Sequence, residues 1–481
     1  MNDFVFSLML LGALSSGGSL PFWATANQSG IMPENNGALA LVQAYKPFNT
    51  ENAFQWQAGA SLAVNYPGSL PFHPMVDQLY AGVRWKVLRL DVGMMHRERE
   101  FLASDRALGS LSVTEGHVIE SNNARTMPGY KLVLEPWAVP FTREHLKISG
   151  VWGDYKTIDP RYMSGALVHR LRGYVTYDTG KHFYVQLGLD HYALWGGVSP
   201  AGNTMAVNLD NYFRICTGRS ASASGTLSDR MNVLGDHGGA EQLRMGWRDS
   251  RYDLTFQWEK PYSDKSGMRF NNIPDGVYTL HFGFKDKDRW VSDALLEFHY
   301  TMWQSGTLHD RETDSEGNQI DWHKNKQMNF FGQDNYFNNG EYKSGWTHFG
   351  RMIGGPLFFT RTSASGQVSI ANNRYKAIHL GVSGKLFRKA PYKLMLTCSR
   401  NFGTYSSPYI PPSSSRSGWN WWEPNTIDKG LNQFSASLCG YVPLELVRWC
   451  GLDIVYGLYA DTGELLPRAF AATIGLRFNI K

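Results

Sequence analysis

The chain has 481 residues, with 24 Tyr, 26 Phe, 16 Trp and 49 Gly but only 19% charged residues, a composition rich in strand formers and turn punctuation. Its net charge of +5, without a dense basic run, excludes nucleic acid as an expected partner. No stretch approaches the roughly 18 apolar residues of a spanning helix, which excludes a helical membrane protein but not a barrel, whose strands alternate apolar and polar faces.

In chain order, the apolar run from Phe4 to Leu14 comes first. Asn2 and Asp3 give it no positive flank, so it reads as a first strand, with the export signal lying upstream of Met1. Runs of about ten residues with period two then recur, the spacing that places alternate side chains on opposite faces of a strand. In the run from Tyr252 to Glu259, Tyr252, Leu254, Phe256 and Trp258 share one face, and Asp253, Thr255, Gln257 and Glu259 the other. The expectation is that Phe256→Arg impairs membrane assembly while Thr255→Arg is tolerated. The final segment repeats the pattern, with Phe470, Ala472, Ile474, Leu476, Phe478 and Ile480 on one face.

Short hinges are expected near Lys86-Val87, Thr179-Gly180, Asp249-Ser250, Lys389-Ala390 and Pro443-Leu444. Long polar stretches are expected at Arg97–Pro128, Trp195–Gly239, Pro261–Asp275, Gln304–Gly345 and Asn401–Leu431. Such alternation fits short periplasmic turns and long extracellular loops. The predicted fold is all-β: one transmembrane antiparallel β-barrel domain over residues 1–481, of about 18 strands, in the outer membrane. Alternation alone also fits a soluble sandwich or propeller, where one face of each strand is buried.

Signatures of catalysis are absent: there is no G-x-S-x-G, H-E-x-x-H or G-x-x-x-x-G-K-[ST]. The charged run from His96 to Glu100 reads as a solvated loop base. Asp236, His237 and Glu241 form a trio of a kind that arises often by chance. Cys216, Cys398, Cys439 and Cys450 are too scattered for a metal pattern and read as small strand residues; a Cys439–Cys450 disulfide is the less favoured reading. No catalytic residue, metal or cofactor is expected. The loop Tyr409–Pro424 (YIPPSSSRSGWNWWEP) is more informative. Trp419, Trp421, Trp422 and Tyr409, set among small polar residues, offer flat faces and hydrogen-bonding groups that suit sugar rings. An interfacial aromatic girdle is the equal alternative.

Several segments, in order, resemble the Wzi-like capsule-assembly proteins of the outer membrane. They are Leu20–Gly30 (LPFWATANQSG), Ser121–Pro128 (SNNARTMP), His191–Gly197 (HYALWGG), Phe270–Gly276 (FNNIPDG), Gln304–Gly306 (QSG), Tyr336–Trp346 (YFNNGEYKSGW) and Gly350–Leu357 (GRMIGGPL). The resemblance implies an eighteen-stranded barrel, in agreement with the strand count, and a surface lectin that holds exported capsular polysaccharide. Some members carry a periplasmic helical bundle before the barrel; none is expected here, because the chain opens on a strand. The motifs carry over no sugar-contacting residue. Gly, Asn and Pro within them also suit tight turns, so Asn123, Arg125, Trp195 and Trp346 are assigned to loop and plug structure. The expected partners are capsular polysaccharide, outer-membrane lipid and other capsule-export envelope proteins. The alternative is a channel for small solutes or glycans, since a barrel of this size is wide enough for a pore.

Overall fold

The computed structural model describes residues 4–48, 52–66, 73–97, 110–220, 233–263, 265–304, 334–410, 429–447 and 450–480. Eighteen antiparallel strands form one sheet. The first nine are β1 (Val5–Ser15), β2 (Gly37–Lys46), β3 (Phe54–Tyr66), β4 (His73–Trp85), β5 (Leu88–Met94), β6 (Gly129–Ala138), β7 (Leu146–Lys156), β8 (Leu167–Asp178) and β9 (Phe183–Trp195). The rest are β10 (Asp236–Arg248), β11 (Tyr252–Tyr262), β12 (Gly276–Phe284), β13 (Asp293–Tyr300), β14 (Arg374–Leu386), β15 (Ala390–Gly403), β16 (Leu431–Val447), β17 (Cys450–Gly463) and β18 (Ala469–Ile480). Each strand pairs with its sequence neighbours, and β1 also pairs with β18, from Phe6 opposite Ile480 to Ser15 opposite Ala471. That pairing closes the barrel, so the sheet has no terminal edge strand.

Burial is inverted relative to a soluble protein. On β11, the inward Thr255, Gln257 and Glu259 are each 1% exposed, whereas Leu254 on the outer face is 39% exposed. The same holds around the wall, where Leu187, Leu296 and Ile378 stand outward and exposed. Only a barrel whose outer face meets lipid gains from this arrangement. Exposed Phe54, Trp85, Trp137, Tyr177, Trp247 and Trp290 gather near the strand ends joined by short turns, forming the girdle expected at a membrane interface.

The expected short hinges at Lys86-Val87, Thr179-Gly180, Asp249-Ser250 and Lys389-Ala390 all fall at turns of this end. Pro443-Leu444 does not: it lies inside β16, with Pro443 opposite Asp453 and Leu444 opposite Leu452. β15 stops pairing with β16 at Gly440, so Pro443 has a strand neighbour on one side only, an edge-like position where a missing N–H is tolerated. The loop expected to end near Gly345 runs on to the start of β14 at Arg374, and carries the small hairpins Thr347–Met352 and Thr360–Ile370. All four cysteines are free.

The lumen is packed where Thr255 points into it, with the hydroxyl 3.5 Å from the Tyr184 hydroxyl. Thr255→Arg is therefore expected to be damaging, a correction to the reading of the inner face as uniformly watery. Phe256→Arg places a charge on the lipid face and is expected to cost about 2–4 kcal/mol if near the bilayer midplane. Heat-modifiable migration in gels reads both variants, and full assembly of Thr255→Arg would show that the lumen is looser than its burial indicates.

Candidate functional site

The long loops fold back into the lumen and pack there as an apolar core. Trp23, Val113, Ile119, Phe337, Trp346, Ile353 and Phe358 from the loops meet Tyr192, Leu194, Val277 and Tyr375 from the wall. Pro21 precedes the short helix Phe22–Thr25, whose first N–H, that of Phe22, donates to Asp461 Oδ2 at 2.7 Å. The Trp23 indole N–H donates to Thr397 on β15 at 3.2 Å. Residues 110–113 reach the wall, where Val113 N–H donates to Glu297 Oε2 at 3.0 Å and His379 Nε2 lies 2.8 Å from Leu111 O. Two plug loops also lock to each other. Ser121 N–H donates to Ile353 O at 2.9 Å, and a Cβ on Gly354 would lie 2.0 Å from Val118 O, so this close approach requires glycine.

A charge network fastens the plug to the wall. Arg170 and Arg172 alternate on β8 so that both face inward, and Asp190 on β9 receives both: Arg170 Nη2 at 2.8 Å and Arg172 Nε at 3.0 Å. Glu120 of the plug bonds Arg170, lies 3.2 Å from Arg172 Nη2 and is 3.8 Å from Arg97 Nε. Nothing in the sequence singled out this set, because its bonded Arg–carboxylate pairs are 18 to 52 residues apart and meet only through strand register and the inward folding of the plug.

The residues singled out in the sequence fall in different places. Trp419, Trp421 and Trp422 lie outside the described residues. Tyr409, at the foot of their loop, is half-buried; its N–H donates to Phe402 O at 3.1 Å, and burial pushes its phenol up to about 12. Asn123 is buried in the plug, where its amide donates to Met352 O at 2.9 Å and its Oδ1 accepts from Asn27 N–H. The Arg125 guanidinium lies 3.9 Å over the Phe349 ring. Trp346 is fully buried, stacked 3.9 Å from the Tyr192 ring. Trp195 is not in the plug. Period two puts it on the opposite face of β9 from Tyr192 and Leu194, on the outer wall, where it packs with Ala193, Ile215 and Leu234 beneath the helix Leu209–Thr217.

Arg97, expected in solvent, is buried below the plug and donates to Glu120 O at 2.8 Å. Asp236, His237 and Glu241 do not converge: Asp236 faces the lumen, His237 pairs with His191 at 2.9 Å, and Glu241 binds Lys260 at 2.9 Å. Among the described residues no group of three or more His, Cys, Asp or Glu is placed to hold a metal.

His348 in the plug has its Nδ1 2.9 Å from Arg125 O and its Nε2 accepting from Ile158 N–H at 3.3 Å, an arrangement that suits neutral imidazole. Burial holds its pKa below the ordinary 6.5, against the opposing pull of Asp159. Such a histidine takes up its proton only when undocked, so plug docking is at full strength above pH 6.5 and weakens as pH falls below it. Hydrogen exchange of residues 334–373 is expected to be faster at pH 5.5 than at 7.5, with a smaller difference in His348→Gln; an unchanged difference would assign the effect elsewhere.

At the long-loop end a cleft of about 280 Å³ is bounded by Leu20, Phe22, Glu34, Arg351, Phe359 and Asp461. The Phe22 and Phe359 rings stand 5.6 Å apart, and among the described residues the only hydrogen bond from the Arg351 side chain is a 3.4 Å contact to Thr25 O. Aromatic faces beside unused donors can take a ring that is apolar on its faces and hydroxylated at its edge.

No known family's sequence profile matches the chain, and no curated protein matches it in sequence. In structure it is similar to OccK3 (OpdO) and OpdQ of Pseudomonas aeruginosa, each at 8% identity and a TM-score of 0.46, over 99% and 100% of this chain and 96% and 99% of theirs. It is also similar to Wzi of Escherichia coli, an outer-membrane protein involved in group 1 capsule assembly and a carbohydrate-binding β-barrel. There the identity is 12% and the TM-score 0.52, over 98% of this chain and 83% of the other. The chain thus shares the barrel fold of Wzi across nearly its whole length.

Proposed function

We propose that this chain is a non-catalytic outer-membrane protein that binds exported capsular polysaccharide and anchors it at the cell surface through its long-loop end. The observation that carries this reading is the plug. Loops that pack an apolar core into their own barrel fill it at that end, which supports reading them as a presented surface rather than as a gate. On that surface the cleft beside Phe359 and Arg351 offers an aromatic ring and hydrogen-bond donors. Gly403 and Leu431, the ends of β15 and β16, lie at the same end, and Trp419, Trp421 and Trp422, between them in sequence, are proposed to add to the surface. Outer-membrane lipid covers the apolar wall, and envelope proteins of capsule export are the partners proposed for the short-turn end. Carbohydrate binding and capsule assembly are properties of Wzi; here the sugar class rests on the cleft and on the shared fold.

The test is retention of the host's own capsular polysaccharide by the purified barrel. Phe359→Ala combined with Arg351→Ala is expected to lower retention at least tenfold, and replacing the three tryptophans with alanine to lower it further. A wild-type barrel that retains no capsule, with surface capsule unchanged in a deletion strain, would sink the reading. Steady single-channel conductance of the intact barrel would favour a channel instead.

A further inference from the structure

At the short-turn end, the turn of residues 285–292 between β12 and β13 and the turn of residues 387–389 between β14 and β15 bound a recess of about 650 Å³. That lies within the range of about 300–1,000 Å³ typical of small-molecule sites. Phe284, Trp290 and Val291 give the recess an apolar side, and Asp286, Asp288, Arg289 and Arg388 a polar one. It sits on the lipid side of the wall. Phe284 shares the strand face of Leu280, which is exposed on the outer wall, and Trp290 belongs to the aromatic girdle. Further along the same face, Leu280, Leu296 and Leu380 stand side by side in register across β12, β13 and β14, all exposed.

Contacts between the turns and the strands hold the recess in shape. Lys385 N–H donates to Arg289 O and Ser292 N–H to Ser383 O, each at 2.8 Å, and the Tyr392 hydroxyl donates to Trp290 O at 2.8 Å. The Arg289 guanidinium lies 4.0 Å over the Phe284 ring, and the Trp290 and Phe387 rings meet edge to face at 5.4 Å. Phe387 and Arg388 sit at φ of 50° and 61°, both left-handed, where a two-residue hairpin turn favours Asn-Gly. Folding of the hairpin alone would favour that smaller pair, so the strain points to a role for the side chains.

The neighbouring lysines are engaged: Lys285 with Asp253 at 2.5 Å, Lys287 with Asp293 at 2.7 Å and Lys385 with Asp288 at 2.6 Å. Arg289, Arg388 and Asp286 form no salt bridge among the described residues; Arg388 acts on Asp288, and Asp286 on Lys385, only from beyond salt-bridge reach. Guanidinium forks match phosphate, while a carboxylate beside an indole ring suits a primary ammonium. Here both signs lie in one recess at the level of the membrane interface.

We infer that the recess is a binding site for one phospholipid with an ethanolamine headgroup. Arg289 and Arg388 hold its phosphate, Asp286 and the Trp290 ring its ammonium, and its acyl chains lie along Leu280, Leu296 and Leu380. The site is at the opposite end of the barrel from the surface cleft and stands whether or not that cleft holds glycan.

Native mass spectrometry of the detergent-solubilised full chain, titrated with palmitoyl-oleoyl phosphatidylethanolamine or phosphatidylglycerol, tests it. One phosphatidylethanolamine is expected to be retained at least tenfold more tightly than phosphatidylglycerol, which has the phosphate without the ammonium. Arg289→Gln and Arg388→Gln are each expected to weaken its retention severalfold, while Arg251→Gln, on the exposed neighbouring turn, leaves it unchanged. Asp286→Asn keeps an oxygen for the Asp288 N–H, 3.0 Å away, and is expected to abolish the preference without lowering retention of phosphatidylglycerol. The Arg388 side chain makes no hydrogen bond or salt bridge among the described residues, so its replacement leaves heat-modifiable migration intact and stands if Arg289→Gln fails to assemble. Free phosphoethanolamine at the same concentration is expected to leave the lipid in place, because it lacks the chains. Its displacement of the lipid would assign the recess to a soluble phosphate ester instead. That result, no retained phosphatidylethanolamine, equal retention of the two lipids, or undiminished retention in an assembled Arg388→Gln would each overturn the assignment.

Discussion

Trp346→Ala is expected to loosen the plug by about 3–5 kcal/mol, the usual cost of truncating a buried tryptophan, and to turn a closed barrel into one with measurable conductance. Trp346 is fully buried and carries two attachments at once. Its ring stacks on Tyr192 of the wall at 3.9 Å, and its indole N–H donates to Ile119 O at 2.7 Å, binding the loop after β13 to the loop after β5. Truncation leaves a cavity against the wall and an unpaired buried carbonyl. Trp346→Phe keeps a ring but loses the donor, so a smaller cost is expected, about 1–3 kcal/mol for the unsatisfied acceptor. Planar-bilayer recordings and limited proteolysis of the loops read both variants. A Trp346→Ala barrel that stays closed and protease-resistant would mean that the plug is held mainly elsewhere.

Asp190→Ala tests that other holding point. Removing one partner of a buried ion pair costs about 3–5 kcal/mol, because the remaining charge is left in a low-dielectric site. Here the loss removes the carboxylate that Arg170 and Arg172, both buried, share, while each keeps its contact to Glu120. The variant is expected to lose heat-modifiable migration at a lower temperature than wild type. Adding Arg170→Met should restore part of the loss, since the double change removes a charge together with its partner. A double variant worse than the single one would show that Arg170 is held chiefly by Glu120.

Some of this was legible before any fold was known. The alternation from Tyr252 to Glu259 assigns faces that the β11 side chains occupy, and Asp249-Ser250 sits at a turn because its neighbours break the period. Other features were not. Trp195 looked like plug material because it lies in the motif His191–Gly197, yet one residue of parity puts it outside the barrel. Thr255 looked like a watery lumenal position, since period two reports a face and says nothing of what packs against that face. Pro443 looked like a hinge, yet it lies within β16, paired with Asp453 of β17 beyond the point at Gly440 where β15 stops pairing.

Period two, turn residues and an apolar outer stripe are local properties, and they determined the strands, their approximate number and the membrane-facing side of each. Closure of β1 on β18, the inward folding of the loops and the meeting of Glu120, Arg170, Arg172 and Asp190 were decided by tertiary structure. These depend on register between distant segments and on the volume left inside the barrel, and neither is written in the spacing of nearby residues.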